Sequence, residues 1–332
     1  MRAGLKRAAL ASLLTVVCAM QALTAQQSAS VGEGGRGEGG AAGTGRRTVR
    51  SMTIPVTVKL REQPETPERQ ELRYIETLIV FEDGEPQEIL TTRGAPQSPL
   101  TLALLIQDDL VPNVGPEVLR LADFIRRLPQ GSRVMVAYLR AGTLQVRQKF
   151  TNDLERAAKS LRIPVGVDVA APFNPYDLTR DALKRFDGQP VGRRALILVS
   201  DGVDLSRGAS NSTPHTSVDL QRAIQDAQRR GVAVYTIYAP TAGGTTDTRR
   251  TFVGNGQSSL SRLSEETGGH AFIQGTSAPV SFERYVREID TLLSRQFALT
   301  YLSTHPGKGF HRIRVASDLT DGTIHYPAGY TR

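Results

Sequence analysis

The stretch that decides the fold is residues 193–208, which read RRALILVSDGVDLSRG. Within it, the apolar run from Ala195 to Val199 lies between two arginines and a Ser-Asp-Gly turn. An uninterrupted apolar run of this length is typical of a strand buried on both faces, as in the middle of a parallel sheet. Asp201 then follows the strand at the sheet edge where open α/β folds bind ligands. The stretch therefore predicts both an α/β fold and the position of a site.

The N-terminus has the pattern of an export signal. Basic residues precede an apolar segment over about residues 8–23, and small and polar residues follow it. This pattern predicts a signal peptide over residues 1–25, with an uncleaved membrane anchor as the alternative. The protein is then exported, to the periplasm or the cell exterior. Cys18 is the single cysteine and lies inside this segment, so the mature chain is expected to have no thiol and no disulfide. No other apolar run is long enough to cross a membrane, so the mature chain is expected to have no membrane span.

Composition limits the class of protein. The chain has 332 residues, of which 39% are apolar, and it contains no tryptophan, so we expect a large and mainly aliphatic core. The formal net charge is +8, and part of it leaves with the predicted signal peptide. No run of basic residues is interleaved with aromatic residues, as nucleic-acid binding would favour. We therefore expect no nucleic-acid partner.

The flanks of the chain differ from its middle. Residues 26–46 are rich in glycine and predict a flexible linker. Alternating patterns predict N-terminal β strands within 47–98 and a C-terminal β hairpin within 297–332 that packs on them as a small antiparallel unit. The individual strands are predicted at 54–60, 75–81, 87–92, 297–301 and 310–315.

Residues 99–296 alternate between strand and helix patterns. Such alternation with short connections predicts a doubly wound, mostly parallel sheet with helices on both faces, of the Rossmann-like kind. Asn152 with Glu155 is predicted to cap the helix that begins there, Thr216 with Asp219 the helix that carries residues 220–227, and Ser281 the final helix with apolar residues from 282 to 293. Residues 242–256 are predicted to form a polar loop. Strands are predicted at 100–106, 133–139, 143–150 as an antiparallel edge, 195–199, 232–238 and 270–273, and further helices at 116–128, 152–161, 174–186 and 259–267.

This order of elements, with QDD after the first strand and SDG after the central one, resembles a von Willebrand factor type A (VWA) domain over about residues 100–296. The flanking sequences at 80–84 and 297–301 resemble those of the exported VWFA-related proteins of acidobacteria. The resemblance implies a metal-ion-dependent adhesion site at the top of the sheet. In that site an Asp-x-Ser-x-Ser motif, a Thr and an Asp surround Mg²⁺, and a partner's carboxylate completes the coordination.

The adhesion-site motif is degenerate in this chain. Gln107 stands in the place of its Asp, Asp109 in that of its first Ser, and Val111, which has no side-chain oxygen, in that of its second. Asp177 aligns with the Thr of the second loop. Of the aligned positions, only Asp201 has the same residue type as the motif.

The aligned loops are rich in carboxylates, which suit a divalent cation. No cofactor is firmly expected, and Mg²⁺ or another divalent cation is the candidate ligand. Simpler explanations stay open: Asp201 fits a turn, Asp177 a helix start, and the acids after the first strand a solvated loop. The candidate metal ligands are Asp201, Asp109, Asp108 and Asp177.

These observations predict an exported, non-enzymatic protein of the interaction or adhesion type. The protein is expected to be non-enzymatic because no nucleophile, base and orienting group occur together beside the predicted loops. Its expected partner is another protein or a cell-envelope component. Two alternatives stay open: a metal-assisted hydrolase that uses the acids, and a structural subunit of a cell-envelope assembly. The loops expected to bind are 107–114, 168–179, 201–216 and 240–257.

Overall fold

The fold is taken from a computed structural model, which describes residues 49–60, 75–167, 171, 173–208, 212–241, 247–273, 281–318 and 322–332, and only the backbone of 247–251. The predicted signal peptide (1–25) and linker (26–46) lie outside the described residues. So do parts of three predicted binding loops. Residues Arg46–Arg332 belong to one compact unit that contains both sheets of the protein.

The elements follow one another in this order. The strands are β1 (Arg50–Leu60), β2 (Ile79–Glu82), β3 (Glu85–Arg93), β4 (Thr101–Gln107), β5 (Arg133–Arg140), β6 (Thr143–Thr151), β7 (Arg194–Ser200), β8 (Ala233–Tyr238), β9 (Ala271–Phe272), β10 (Gln296–Ser303), β11 (Phe310–Ala316), β12 (Gly322–His325) and β13 (Gly329–Thr331). The α-helices are α1 (Gly115–Arg127), α2 (Leu154–Lys159), α3 (Pro175–Leu183), α4 (Val218–Arg229), α5 (Asp247–Glu266) and α6 (Glu283–Ser294).

The first sheet has six strands in the order β6-β5-β4-β7-β8-β9. All neighbours are parallel except β6, which pairs antiparallel with β5. β7 lies between β4 and β8, and every residue of β4 and β7 is buried. The prediction of a central, doubly buried strand at 195–199 is therefore confirmed.

Helices cover both faces of this sheet. One core cluster joins it to α1, α2 and α6, and a second joins it to α3, α4 and α5. The α/β fold with a mostly parallel sheet is confirmed by this layering. Among the residues that the structure describes, no helix is both long and apolar enough to span a membrane.

The predicted polar loop at 242–256 is wrong over its second part. Helix α5 begins at Asp247 and runs through Gly254 and Gly256. The sequence suggested a loop because glycine weakens helices. Gly256 is needed inside the helix for close packing: a Cβ added there would collide with the Asp201 carbonyl. Residues 242–246 lie outside the described part.

Four further element boundaries differ from prediction. Helices α2 and α4 are capped one residue later than expected, by Asp153 and Ser217, which accept from the backbone N–H groups of residues 156 and 220. The strand predicted at 75–81 begins only at Ile79, because Ile75 and Glu76 are helical. Ser281 accepts the N–H of Glu283, but the N-cap position of α6 is Phe282, one residue later than predicted. The Phe282 N–H donates to the carboxylate of Glu117 in α1.

The second sheet is antiparallel, and its strand order is β12-β1-β10-β3-β2-β11-β13. Strands from both flanks therefore share one sheet, but the predicted C-terminal hairpin is wrong. β10 pairs with β1 and β3, whereas β11 pairs with β2 and β13. β10 follows α6 directly and lies between β1 and β3. The connection at 304–309 then crosses the end of the β2–β3 hairpin before β11 begins.

The antiparallel sheet contacts the amino edge of the parallel sheet. The buried Arg193, just before β7, donates to the carbonyls of Gln296 at 2.7 Å and Ser98 at 3.2 Å, and to that of Leu293. Burial lowers the pKa of Arg193 to about 10. Gly231, just before β8, has space for a Cβ only if the Thr53 carbonyl 2.6 Å away moves. This arrangement leaves the carboxyl edge of the parallel sheet to its own loops.

Candidate functional site at the carboxyl edge of the parallel sheet

Gln107 links the ends of the two central strands. Its Nε2 donates to Asp109 Oδ1 at 2.8 Å, and its Oε1 accepts from Ser200 Oγ at 2.5 Å and from the Asp201 N–H at 3.3 Å. All four residues are buried. One amide side chain therefore brings Asp109 and Asp201 together, as the parallel register of β4 and β7 predicts.

The loop after β7 is a sequence of side-chain-stabilised turns. Asp201 Oδ1 accepts the Val203 N–H at 3.0 Å, and Ser200 Oγ accepts the Gly202 N–H at 3.0 Å. Gly202 has a φ of +72°, a conformation that favours glycine. Asp201 therefore stabilises a turn of the chain, which confirms the simpler explanation that the residue fits a turn.

Two tyrosines lie against this loop from neighbouring elements. Tyr176 of α3 donates to the Gly202 carbonyl at 2.6 Å. Burial raises the pKa of Tyr176, and the charges of Asp201 and Asp204 raise it further. Burial and the charge of Asp201 likewise raise the pKa of Tyr238 to about 12. Both phenols therefore stay protonated at neutral pH and serve as hydrogen-bonding groups.

Asp108 lies in a separate ion-pair cluster. Its fully buried carboxylate contacts Arg162 at 2.6 Å and Arg140 at 3.0 Å, and it accepts the Val165 N–H at 3.1 Å. Burial alone would raise the pKa of Asp108, but the hydrogen bonds and charges of these partners outweigh it and lower the pKa. The Arg162 guanidinium also lies 4.0 Å over the Tyr138 ring. The solvated-loop explanation is therefore wrong for Asp108.

Asp177 lies in the first turn of α3, where Asn174 caps the helix through the N–H groups of residues 176 and 177. The Asp177 side chain is 57% exposed and pairs with Arg180 at 3.0 Å. The helix-start explanation of Asp177 is confirmed. In the part of the chain that the structure describes, these four acids do not form a group of three whose ligand atoms could share one ion.

The donor set at this edge does not fit the hydroxyl-rich Mg²⁺ site that the resemblance implies. The amide of Gln107 is committed to three hydrogen bonds, Val111 has no side-chain oxygen, and arginines neutralise Asp108. Mg²⁺ requires near-octahedral oxygen ligands. A cation bound to Asp109 and Asp201 alone stays a prediction.

Exposed apolar side chains lie in two groups beside this edge, and the sequence analysis did not single them out. The segment at 163–167 is held against the end of β4, since the Gly166 N–H donates to the Asp108 carbonyl at 3.0 Å. The Leu205 N–H, after β7, donates to the Phe173 carbonyl at 3.1 Å. We call the two groups together the apolar rim; its members are Ile163, Val165, Val167, Phe173 and Leu205, which are 38–61% exposed.

Phe173 is the most exposed member of the apolar rim, at 61%, and its φ is +61°. A left-handed backbone is strained for a residue of this size, and such strain is concentrated at functional positions. The sequence did carry a signal, because residues 163–173 read IPVGVDVAAPF, an irregular segment that is nevertheless apolar.

No family model matches the sequence, and no curated protein matches it. Solved structures with a similar architecture include an aerotolerance-related membrane protein from Bacteroides fragilis (14% identity, 58% of this chain and 98% of that chain, TM-score 0.40). Another is a von Willebrand factor type A protein from Catenulispora acidiphila (12% identity, 85% and 73%, TM-score 0.41). The SpRpn10 VWA domain is a third (12% identity, 55% and 97%, TM-score 0.35). The α/β fold class follows from the strand order and register of this chain.

Proposed function

We propose that this chain is an exported, non-enzymatic protein-interaction module of the VWA type, which binds a protein partner directly at the carboxyl edge of its parallel sheet. The observation that carries the proposal is the apolar rim. Exposed apolar side chains that occur in groups mark interaction sites more often than scattered single ones do. Asp108, Asp109 and Asp201 are buried whereas the rim residues are exposed, so we expect the partner to meet apolar surface rather than a free carboxylate cluster.

The charges at this edge specify the partner further. The Asp108 carboxylate is buried, whereas the guanidinium groups that bind it are partly exposed, Arg140 at 33% and Arg162 at 27%. Arg207, near Leu205, is 53% exposed. Arginine and large apolar side chains together are typical of protein interfaces. The expected partner surface is therefore apolar and carries acidic side chains at its margin, and binding requires no bridging metal.

Position-specific photo-crosslinking tests this function. Benzoylphenylalanine replaces Phe173 in one protein and Val191 in another. Val191 is equally exposed at 61% but precedes β7, at the amino edge. With envelope extract we expect an adduct of defined mass from position 173 and none from position 191.

Affinity measurements with the purified partner complete the test. Phe173→Ser and Leu205→Ser are expected to weaken binding at least about tenfold, while Val191→Ser changes it less than about twofold. A chelator should leave the affinity unchanged. Equal adducts from both positions, or equal affinities of all three variants, would contradict the proposal. Loss of binding in the presence of a chelator would show that a metal ion bridges the two proteins, and direct binding would then be wrong.

A further inference from the structure

The antiparallel sheet contains a polar cluster away from the carboxyl edge. Glu82 ends β2, and Asp83 begins the turn to β3. His305 follows β10 in the connection that crosses the end of this hairpin. Ligand atoms of these three residues lie within 4.8 Å of one another. The interleaved strand order of this sheet is what brings them together.

Glu82 is a fully buried carboxylate whose hydrogen bonding is incomplete. Its Oε1 accepts from Tyr330 at 2.8 Å and from Ser303 at 2.9 Å. Its Oε2 makes no hydrogen bond of good geometry, and the buried Tyr301 hydroxyl is the neighbouring group that interacts with the carboxylate. Buried polar atoms are almost always paired, and an unpaired buried carboxylate is costly. The Glu82 carboxylate therefore keeps acceptor capacity with which it could bind a cation.

His305 provides a second unpaired atom. Its Nδ1 is buried without a hydrogen-bond partner and lies 3.7 Å from Glu82 Oε1. This distance is too long for a hydrogen bond. Two ligands of a tetrahedral ion with bonds of about 2.1 Å are about 3.4 Å apart, so a small adjustment would place one ion between them.

Asp83 is held in position by groups that do not compete for a cation. Its Oδ1 accepts the Arg312 N–H at 2.8 Å, and its Oδ2 lies 2.7 Å from His311 Nδ1. His311 Nε2 lies 2.9 Å from the Gly307 carbonyl, so the His311 ring is itself fixed at both nitrogens. Partners of this kind fix the orientation of metal-binding carboxylates.

The local charge also favours a cation. Besides Glu82 and Asp83, a third carboxylate lies nearby, since Glu85 Oε2 is 3.6 Å from His305 Nε2. A divalent ion would offset the negative charge of these carboxylates, including that of the buried Glu82.

We propose that Glu82, Asp83 and His305 bind a divalent transition-metal ion of the Zn²⁺ class. An imidazole with two carboxylates suits Zn²⁺ and its neighbours, whereas Mg²⁺ and Ca²⁺ prefer oxygen ligands alone. The Asp83 and His305 side chains are 34% and 21% exposed, so the ion has a path from solvent and room for a water as its fourth ligand.

Calorimetric titration of the full chain tests this site. The protein is stripped with a chelator, dialysed and titrated with ZnCl₂ or MgCl₂. Glu82→Gln and His305→Gln remove a ligand charge or the imidazole with little change in volume, and His215→Gln replaces an exposed histidine as the control. Co²⁺ absorption spectra report tetrahedral coordination independently, and circular dichroism verifies that each variant is folded.

We expect one Zn²⁺ per chain, no heat with Mg²⁺, and a rise in the melting temperature with Zn²⁺. Each ligand variant should bind Zn²⁺ at least about tenfold more weakly, and His215→Gln should bind as the parent does. If the parent shows no stoichiometric binding, or if folded ligand variants bind as it does, the ion is adventitious and the proposal is wrong. Should one ligand variant fail to fold, the other decides the outcome.

Discussion

Gly202 and Gly256 pack backbone against backbone, so that helix α5 lies directly on the loop that leaves the central strand. A Cβ on Gly202 would lie 2.5 Å from the Gly256 carbonyl oxygen, and one on Gly256 would collide with the Asp201 carbonyl. Two glycines, one in a turn and one in a helix, therefore set the position of Asp201.

Substitution Gly256→Ala is expected to lower the free energy of unfolding by about 1–3 kcal/mol, because overpacking forces the loop and the helix apart. Gly254→Ala is the matched control. It lies in the same helix with nothing within 4 Å of an added Cβ, and it should raise stability by about 0.5–1 kcal/mol through helix propensity. Urea unfolding measures both. Similar effects of the two substitutions would show that the close packing at Gly256 has no energetic role.

The ion-pair cluster at Asp108 predicts a strong effect of Asp108→Asn. The amide cannot neutralise Arg140 and Arg162, so the free energy of unfolding should fall by about 3 kcal/mol at neutral pH. Asp177→Asn is the control, and its exposed pair with Arg180 should contribute less than about 0.5 kcal/mol.

The effect of Asp108→Asn should depend on pH with a definite sign. The pKa of Asp108 is lowered in the folded protein, so its stabilising contribution is complete above the ordinary value of 3.8 and is lost as the pH falls through the folded value. Denaturant unfolding at several pH values should show the parent and Asp108→Asn converging in strong acid. A constant difference down to that range would contradict this assignment.

His325, at the end of β12, predicts a second pH dependence. Burial, with the charges of His270 and Lys59, lowers its pKa to about 4 from the ordinary 6.5, although Glu288 opposes this shift. The unfolded chain then binds more protons than the folded one between these values. The free energy of unfolding should therefore fall as the pH drops from 6.5 to 4.

His325→Gln should flatten this part of the stability curve, while His215→Gln, at an exposed position, should leave it unchanged. Denaturant unfolding across the pH range gives the slope, and an NMR titration of the His325 ring gives the pKa directly. Titration of that ring near 6.5 would contradict the prediction.

Much of the parallel sheet was predictable from local patterns. The apolar runs at 195–199 and within β4 identified two central strands, and Asn174-Pro175 identified the start of α3. These features depend on the period of apolar residues and on cap chemistry, which act over a few residues. Helix α5 was only partly predicted, because the reason for its glycine is a contact with a distant loop.

The candidate site was predictable in position but not in chemistry. The sequence alone placed Asp109 and Asp201 at one edge, because the carboxyl ends of parallel strands coincide there. It gave no indication that Arg140 and Arg162 would neutralise Asp108, since these partners lie 32 and 54 residues away along the chain.

The sequence by itself determined the α/β class, the central position of β7 and the acid that follows it, because each depends on local periodicity and on the directionality of parallel strands. The tertiary structure alone decided that β10 and β11 are separated by the β2–β3 hairpin, and that Glu82 meets His305 across it. Strand partners are chosen by long-range packing and chain crossing. Residues with the same alternating pattern can pair in many orders, and only the folded chain selects one.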